Sequence, residues 1–351
     1  MKSDFQIEKL VRENIRTLIP YSSARHEFPG AAGVFMDANE NPHNPPLNRY
    51  PDPGQLELKR RVVEIKDQEI ENLFLGNGSD EGIDLLFRVL CEPGRDNVIT
   101  VDPTYGMYGV CAAVNDIARK SVLLGEDFGL DAGAVLEAMD ERTKMIFLCS
   151  PNNPTSNSYS REAMLKIIDL APCVVVVDEA YIDFSSERGV LTLVPEKRNL
   201  VVLQTLSKAW GLAGIRLGMV FAAPELIGYL SSVKYPYNVN ALSMKEALKM
   251  LEAGDLRESW VKSILEERNR LSERLLSFSF VERVFPSDAN FLLVKMIDPA
   301  KVYTYLTGQG IIVRDRSSAP LCEGCLRITV GTGRENSLLI GALSDFENSN
   351  H

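Results

Sequence analysis

Two segments of this 351-residue chain hold side chains whose types could make or break bonds. Thr205-Leu206-Ser207-Lys208-Ala209-Trp210 sets a lysine beside two hydroxyls, after the apolar run 200–203, with Gly211, Gly214 and Gly218 around Arg216. A lysine at a strand end is commonly solvated. Burial beside other cations instead lowers an ammonium pKa that starts at about 10.4 and makes the amine a nucleophile. The second segment, Val174-Val175-Val176-Val177-Asp178-Glu179-Ala180-Tyr181, ends an apolar run with an acid. A desolvated carboxylate is costly unless paired, so Asp178 should meet something cationic. A Mg²⁺ ion is the rival partner, but no G-x-x-x-x-G-K-[ST] loop accompanies the acid.

Two further segments offer binding groups. Gly76-Asn77-Gly78-Ser79-Asp80-Glu81-Gly82 follows apolar residues 73–75 and opens a helical pattern at Ile83, Leu86, Phe87 and Leu90. Small residues at a helix start leave N–H groups free for a phosphate, although a plain helix cap has the same composition. Its G-x-G-x-x-x-G spacing is one residue longer than the dinucleotide fingerprint, which weakens a nicotinamide-binding reading. Ser150-Pro151-Asn152-Asn153-Pro154-Thr155 follows the apolar run 145–149; such a cluster forms turns, and strand carboxyl ends are where open α/β sheets bind ligands.

The elements that must carry these groups are legible as apolar runs at 97–101, 121–124, 145–149, 173–177, 200–203 and 217–222, with helical stretches between them. Several runs are continuous rather than alternating, which predicts an α/β fold whose mostly parallel sheet is covered by helices on both faces. After Ala241 the pattern changes to long helices at 242–251 and 256–276 and shorter strands at 291–295, 311–314 and 326–330, which predicts a smaller α+β C-terminal domain. Residues 40–53, rich in Pro and Asn, read as a loop.

Composition narrows the function. With 45% hydrophobic residues and a formal charge of −10, the chain reads as a globular protein without the basic footprint of a nucleic-acid binder. No stretch is apolar for long enough to span a membrane, and the first eighteen residues show helical spacing rather than a signal peptide's apolar core, so a cytoplasmic protein is expected. The six cysteines are scattered. Cys322 and Cys325 form one C-x-x-C with no second pair, and His26, His43 and His351 are not spaced to complete a site, so no metal is expected.

Taken in order, Gly78-Ser79-Asp80-Glu81, Asp102-Pro103-Thr104-Tyr105-Gly106-Met107-Tyr108, Ser150 to Thr155, Asp178-Glu179-Ala180-Tyr181, Thr205 to Lys208 and Gly214-Ile215-Arg216-Leu217-Gly218 resemble the fold-type I pyridoxal-phosphate (PLP)-dependent aminotransferases. Tyr21-Ser22-Ser23-Ala24-Arg25, Asn48-Arg49-Tyr50-Pro51-Asp52-Pro53 and Cys325-Leu326-Arg327-Ile328-Thr329-Val330-Gly331 narrow the resemblance to the histidinol-phosphate aminotransferases. It spans nearly the whole chain. One departure stands at Pro154-Thr155-Ser156-Asn157, where the family commonly has Gly after the Thr.

The resemblance implies pyridoxal 5′-phosphate as cofactor and a role for each matched residue. Lys208 would form the Schiff base and shuttle the proton, and Asp178 would keep the pyridine nitrogen protonated. Tyr181 and Asn153 would bond the ring's 3′-oxygen, and Tyr105 would stack on its face. Gly78, Ser79, Asp80, Thr205, Ser207 and Arg216 would hold the phosphate, with Tyr50 reaching across a homodimer to the neighbouring site. Arg327 would take the carboxylate of amino-acid substrates, with Arg314 and Tyr21 at the phosphate end of histidinol phosphate and Asn153 also facing substrate.

The implied domains are an arm of residues 1–35, a PLP-binding domain of 36–240 and a small domain of 241–351. The implied reaction moves an amino group between L-histidinol phosphate and 2-oxoglutarate in histidine biosynthesis. Aromatic amino acid transamination and threonine-phosphate decarboxylation are alternatives on the same scaffold. A nicotinamide-dependent oxidoreductase, or a binder that kept PLP without turnover, are alternatives of other classes.

Overall fold

Along strand β5 (Val174–Asp178) of the computed structural model, which describes residues 5–21 and 34–349, Val174 and Val176 join one apolar cluster while Val175 and Val177 join another. The same alternation holds in β4 (Thr143–Cys149), where Met145 and Phe147 face one layer and Ile146 and Leu148 the other. Successive strand residues point to opposite faces, so a continuous apolar run means a sheet buried on both sides. Each such side chain contributes roughly 1.5–3 kcal/mol on burial.

The covering layers come from amphipathic helices. Ile83 and Leu86 of helix Ser79–Leu90, with Leu226 and Leu230 of Pro224–Val233, fill one layer. Leu58 of Leu56–Lys66, Ile167 of Arg161–Leu170 and Ala247 of Ala241–Leu251 fill the other.

The remaining strands of this seven-stranded sheet are β1 (Leu73–Asn77), β2 (Asn97–Asp102), β3 (Ala118–Leu123), β6 (Leu200–Thr205) and β7 (Leu217–Phe221), in the order β1-β7-β6-β5-β4-β2-β3. Strand β7 is antiparallel to both neighbours, and the other pairings are parallel. The short link from β6 back into β7 therefore leaves Lys208 and Arg216 at the sheet edge where β1, β2, β4 and β5 also end. That edge is the place where open α/β sheets expose groups to ligands.

A second, antiparallel sheet runs β10 (Arg314–Asp315), β11 (Cys325–Thr329), β9 (Phe291–Met296) and β8 (Val281–Val284), packed against helices Gly254–Leu275, Pro299–Gly308 and Gly333–Ser349. The strand expected at 311–314 is shorter than its pattern suggests. Ile311 and Val313 pack on the small core, but the ladder with β11 begins only at Arg314 opposite Arg327. The helix at 241–251, read with the second domain, packs Ala247 and Leu251 into the core beneath the large sheet. Among the described residues no helix is long and apolar enough to cross a membrane, and the six cysteines are buried free thiols.

Candidate active site

A cavity of about 400 Å³ opens at the carboxyl ends of the large sheet. Its floor is Asp178, the last residue of β5, only 3% exposed. One carboxylate oxygen accepts a hydrogen bond from the Tyr108 hydroxyl at 2.6 Å and the other accepts from the Ala180 N–H at 3.1 Å. Burial pushes the carboxyl's pKa above its ordinary value, and these two donors work against that shift. No lysine or arginine among the described residues forms an ion pair with it. Tyr108 is itself buried and stacked on Phe147 at 4.7 Å, and burial followed by the Asp178 charge keeps its phenol protonated, hence a donor.

Lys208 projects into the same cavity from the β6–β7 link. Its ammonium pKa is lowered first by burial and then by the nearby Arg327 charge, while Asp178 opposes the shift. The Nζ atom lies 5.4 Å from the centre of the Tyr181 ring and makes no hydrogen bond among the described residues. Tyr181 is buried against Phe291, so the amine sits over an aromatic wall contributed by both sheets.

At one end of the cavity the turn Gly78-Ser79 meets Arg216. Gly78 adopts φ +79°, and a Cβ there would come within 2.6 Å of the Arg216 guanidinium. A Cβ on Gly218 would collide with the Ser79 nitrogen. Only glycine permits this approach. Arg216 is in the left-handed region, at φ +54°, a conformation that costs energy in a non-glycine residue and that the Gly78 N–H, donating to the Arg216 carbonyl at 2.8 Å, helps to hold.

The helix that begins at Ser79 has no side-chain cap, whereas Asp131, Ser160, Asn240 and Asp298 cap other helices. Ser79, Thr205, Ser207 and Arg216 all line this end, a donor set suited to a phosphate. The Asp80 carboxylate does something else: it accepts from the Tyr105 hydroxyl at 3.0 Å and from Arg216 at 3.3 Å.

The opposite end is lined by Arg314, Arg316 and Arg327 from the small antiparallel sheet. Arg327 donates to the Asn153 side-chain oxygen at 2.5 Å and lies over the Phe291 ring. None of the three has a carboxylate partner among the described residues.

Twelve of the residues singled out from sequence thus meet in one cavity, and Gly78 adjoins it. Tyr21 and Tyr50 do not line it; they are 74% and 51% exposed, and Tyr50 stacks on Tyr237 at 4.5 Å. Ser22 to Arg25, His26 and His351 lie outside the described residues. Two residues were missed. Tyr108 stands three positions after Tyr105 in a segment already matched, and Arg316 stands two after Arg314, spacings that return a side chain to the same face of a helix or strand.

At the departure after Asn153, Ser156 takes φ +67°, the left-handed conformation a glycine would adopt without strain. Its hydroxyl donates to the Thr155 and Pro286 carbonyls at 2.6 and 3.2 Å.

The model of the family "Aminotransferase class I and II" matches residues 27–343. The chain is 54% identical over 342 residues to a histidinol-phosphate aminotransferase of Bacteroides fragilis (strain YCH46), covering 97% of this chain and 99% of that one. Among solved structures, the histidinol-phosphate aminotransferase from Clostridium acetobutylicum superposes with a TM-score of 0.80 at 23% identity, over 86% of this chain and 92% of that one. The enzyme of the same name from Sinorhizobium meliloti, solved in complex with pyridoxal-5′-phosphate, gives 0.79 at 23% identity, over 86% and 84%. These two likenesses bear on the fold, while the near full-length relative and the family model bear on descent: the chain belongs to the aminotransferase class I and II family.

Proposed function

We propose that this protein is a PLP-dependent transaminase that moves an amino group between L-histidinol phosphate and 2-oxoglutarate, giving imidazole-acetol phosphate and glutamate. The observation that carries the reading is the cavity itself. A half-buried amine and a buried carboxylate without a cationic partner lie between two clusters of anion-binding groups. The residues fit the cofactor: Asp178 offers an anion to a ring N–H, Tyr105 a flat wall, and Ser79, Thr205, Ser207 and Arg216 donors for a phosphate. The 54% identity to a histidinol-phosphate aminotransferase over nearly the full length supports the choice of substrate.

When bound, pyridoxal phosphate supplies an aldehyde for the amino group and a ring that accepts electron density from the substrate carbon. Asp178 holds a proton on the ring nitrogen, and Tyr108 keeps that carboxylate ionised and oriented. The Nζ of Lys208 attaches the cofactor and later accepts the proton that leaves the substrate carbon, which requires the neutral amine that burial and Arg327 favour. Tyr181 and Asn153 orient the ring oxygen, and Gly78 and the Asp80 backbone complete the phosphate turn. The Asp80 carboxylate positions Tyr105 and Arg216. Arg327 receives a carboxylate and Arg314 the distal phosphate, whereas Tyr21 lies outside this cavity.

A homodimer in the cytoplasm, with Tyr50 reaching the neighbour's cofactor phosphate, belongs to the same proposal. The exposure of Tyr50 and its support by Tyr237 favour that role. The division into an arm of 1–35, a cofactor domain of 36–240 and a small domain of 241–351 is part of the same proposal. The packing of Ala247 and Leu251 argues for moving the last boundary to the turn after Leu251.

Purified protein should absorb in the visible range and lose that band on borohydride treatment. In a panel of histidinol phosphate, threonine phosphate, phenylalanine and histidine at equal concentration with 2-oxoglutarate, histidinol phosphate should give the highest kcat/KM. Preferred turnover of another donor overturns the substrate.

A further inference from the structure

We propose that Arg316 is a third substrate-binding guanidinium and that it makes the distal end of the cavity select a phosphate. The inference rests on the substrate reading above. Strand β10 contributes only Arg314 and Asp315 to its ladder, but the backbone N–H of Arg316 continues it by donating to the Cys325 carbonyl at 2.9 Å. Residues i and i+2 of an extended segment share a face, so Arg316 follows Arg314 into the cavity while Asp315 does not line it. Arg314 in turn stands opposite Arg327 in the ladder.

Three guanidiniums converge, and none has a carboxylate partner among the described residues. Clustered cations repel, and that repulsion is removed when an anion with several acceptor oxygens sits among them. A carboxylate has two oxygens and one charge, and Arg327 with a single neighbour satisfies it. A phosphate monoester carries a charge of about −1.5 to −2 at neutral pH and three strong acceptor oxygens. The third fork matches that larger demand, so Arg316 contributes to discrimination between a phosphorylated and an unphosphorylated amino donor.

The test compares histidinol phosphate with histidinol as donors for wild type, Arg316→Gln and Arg316→Lys. The ratio of their kcat/KM values should fall about ten- to a hundredfold in Arg316→Gln, mainly through the KM for histidinol phosphate. Arg316→Lys should lose less, because the charge remains while the planar fork is gone. A residue that only supports the fold would lower both donors together and leave the ratio intact, and that outcome overturns the inference. An unchanged ratio with full activity overturns it equally. A wild type that does not prefer histidinol phosphate overturns the substrate reading and this inference with it. A wild-type preference that survives in Arg316→Gln overturns the inference alone.

Discussion

At the floor of the cavity Asp178 is almost fully buried and both of its oxygens accept hydrogen bonds from its own domain, whereas at the mouth Arg314, Arg316 and Arg327 line open space without a carboxylate among the described residues. The floor is fixed by the parallel sheet: Tyr108 is wedged on Phe147, and Asp178 is tied to the strand end. The mouth is carried by a separate sheet: Arg314 and Arg316 stand on and just after its two-residue edge strand, and Arg327 on the neighbouring β11. A group that serves the same cofactor in every turnover gains from rigid partners. Groups that must hold a phosphate ester in one half-reaction and a dicarboxylate in the other gain from being left unpaired until substrate arrives.

The largest effect that would test this contrast is at the floor. Asp178→Asn keeps the shape but removes the charge, and breaking a buried ion pair costs about 3 to 5 kcal/mol, on the order of a hundredfold or more in rate. Single-turnover absorbance changes should slow by that factor with either amino donor, and a loss under tenfold would mean the carboxylate does not serve the ring nitrogen.

At the mouth, Arg327→Lys should lower kcat/KM in both half-reactions by about ten- to a hundredfold, since an ammonium cannot reproduce a two-point contact. If only the glutamate half suffers, the phosphate is held by the other two arginines. Arg327→Gln adds a pH signature. Arg327 is the largest charge effect lowering the Lys208 pKa, after burial. Its removal raises that pKa, so the acidic limb of cofactor uptake by the apo-protein should move to higher pH. A limb that stays in place would show that the two groups are uncoupled.

Tyr108→Phe probes the floor's internal partner. It deletes the donor that opposes the upward pKa shift of Asp178, so that shift grows and the carboxyl draws the shared proton away from the ring nitrogen more readily. A decrease of about tenfold in the half-reaction rates is expected from one charge-assisted hydrogen bond. Unchanged rates would reduce Tyr108 to packing.

The smallest effect belongs to Ser156→Gly. Relief of the left-handed φ and loss of the Oγ hydrogen bonds oppose each other, so unfolding free energy should change by less than about 1 kcal/mol. A loss above about 2 kcal/mol in denaturant unfolding would show that the hydroxyl, rather than the turn, holds the segment against Asp288, whose N–H donates to the Ser156 carbonyl at 2.7 Å.

The floor was legible in the sequence because each of its groups stands at or a few residues past the end of an apolar run: Asp178 directly after four valines, Lys208 soon after 200–203, Asn153 soon after 145–149. A strand buried on both faces announces itself, and the residues just past its carboxyl end lie at the ligand edge. Tyr108 carried no such mark. Its phenol reaches Asp178 across 70 residues of sequence, and only the parallel pairing of β2 with β4 and β4 with β5 brings the two near.

The mouth was less legible for a physical reason. Ile311 and Val313 alternate like a strand because they pack on the small core, yet their backbones join no ladder, so the pattern points to burial and mislocates the strand that aims Arg314 and Arg316. Helix Pro299–Gly308 carried its own signals, an Asp298 cap and a proline in its first turn, which a search for apolar runs passes over.

Everything at the floor depends on Lys208 holding the cofactor. Borohydride reduction of the cofactor-loaded protein, followed by peptide mass measurement, tests it directly. One reduced pyridoxyl-phosphate adduct per chain is expected, on the peptide containing Lys208, and none on Lys208→Ala, which should also fail to turn over. An adduct on a different lysine of the wild type, or near-normal activity in Lys208→Ala, would contradict it.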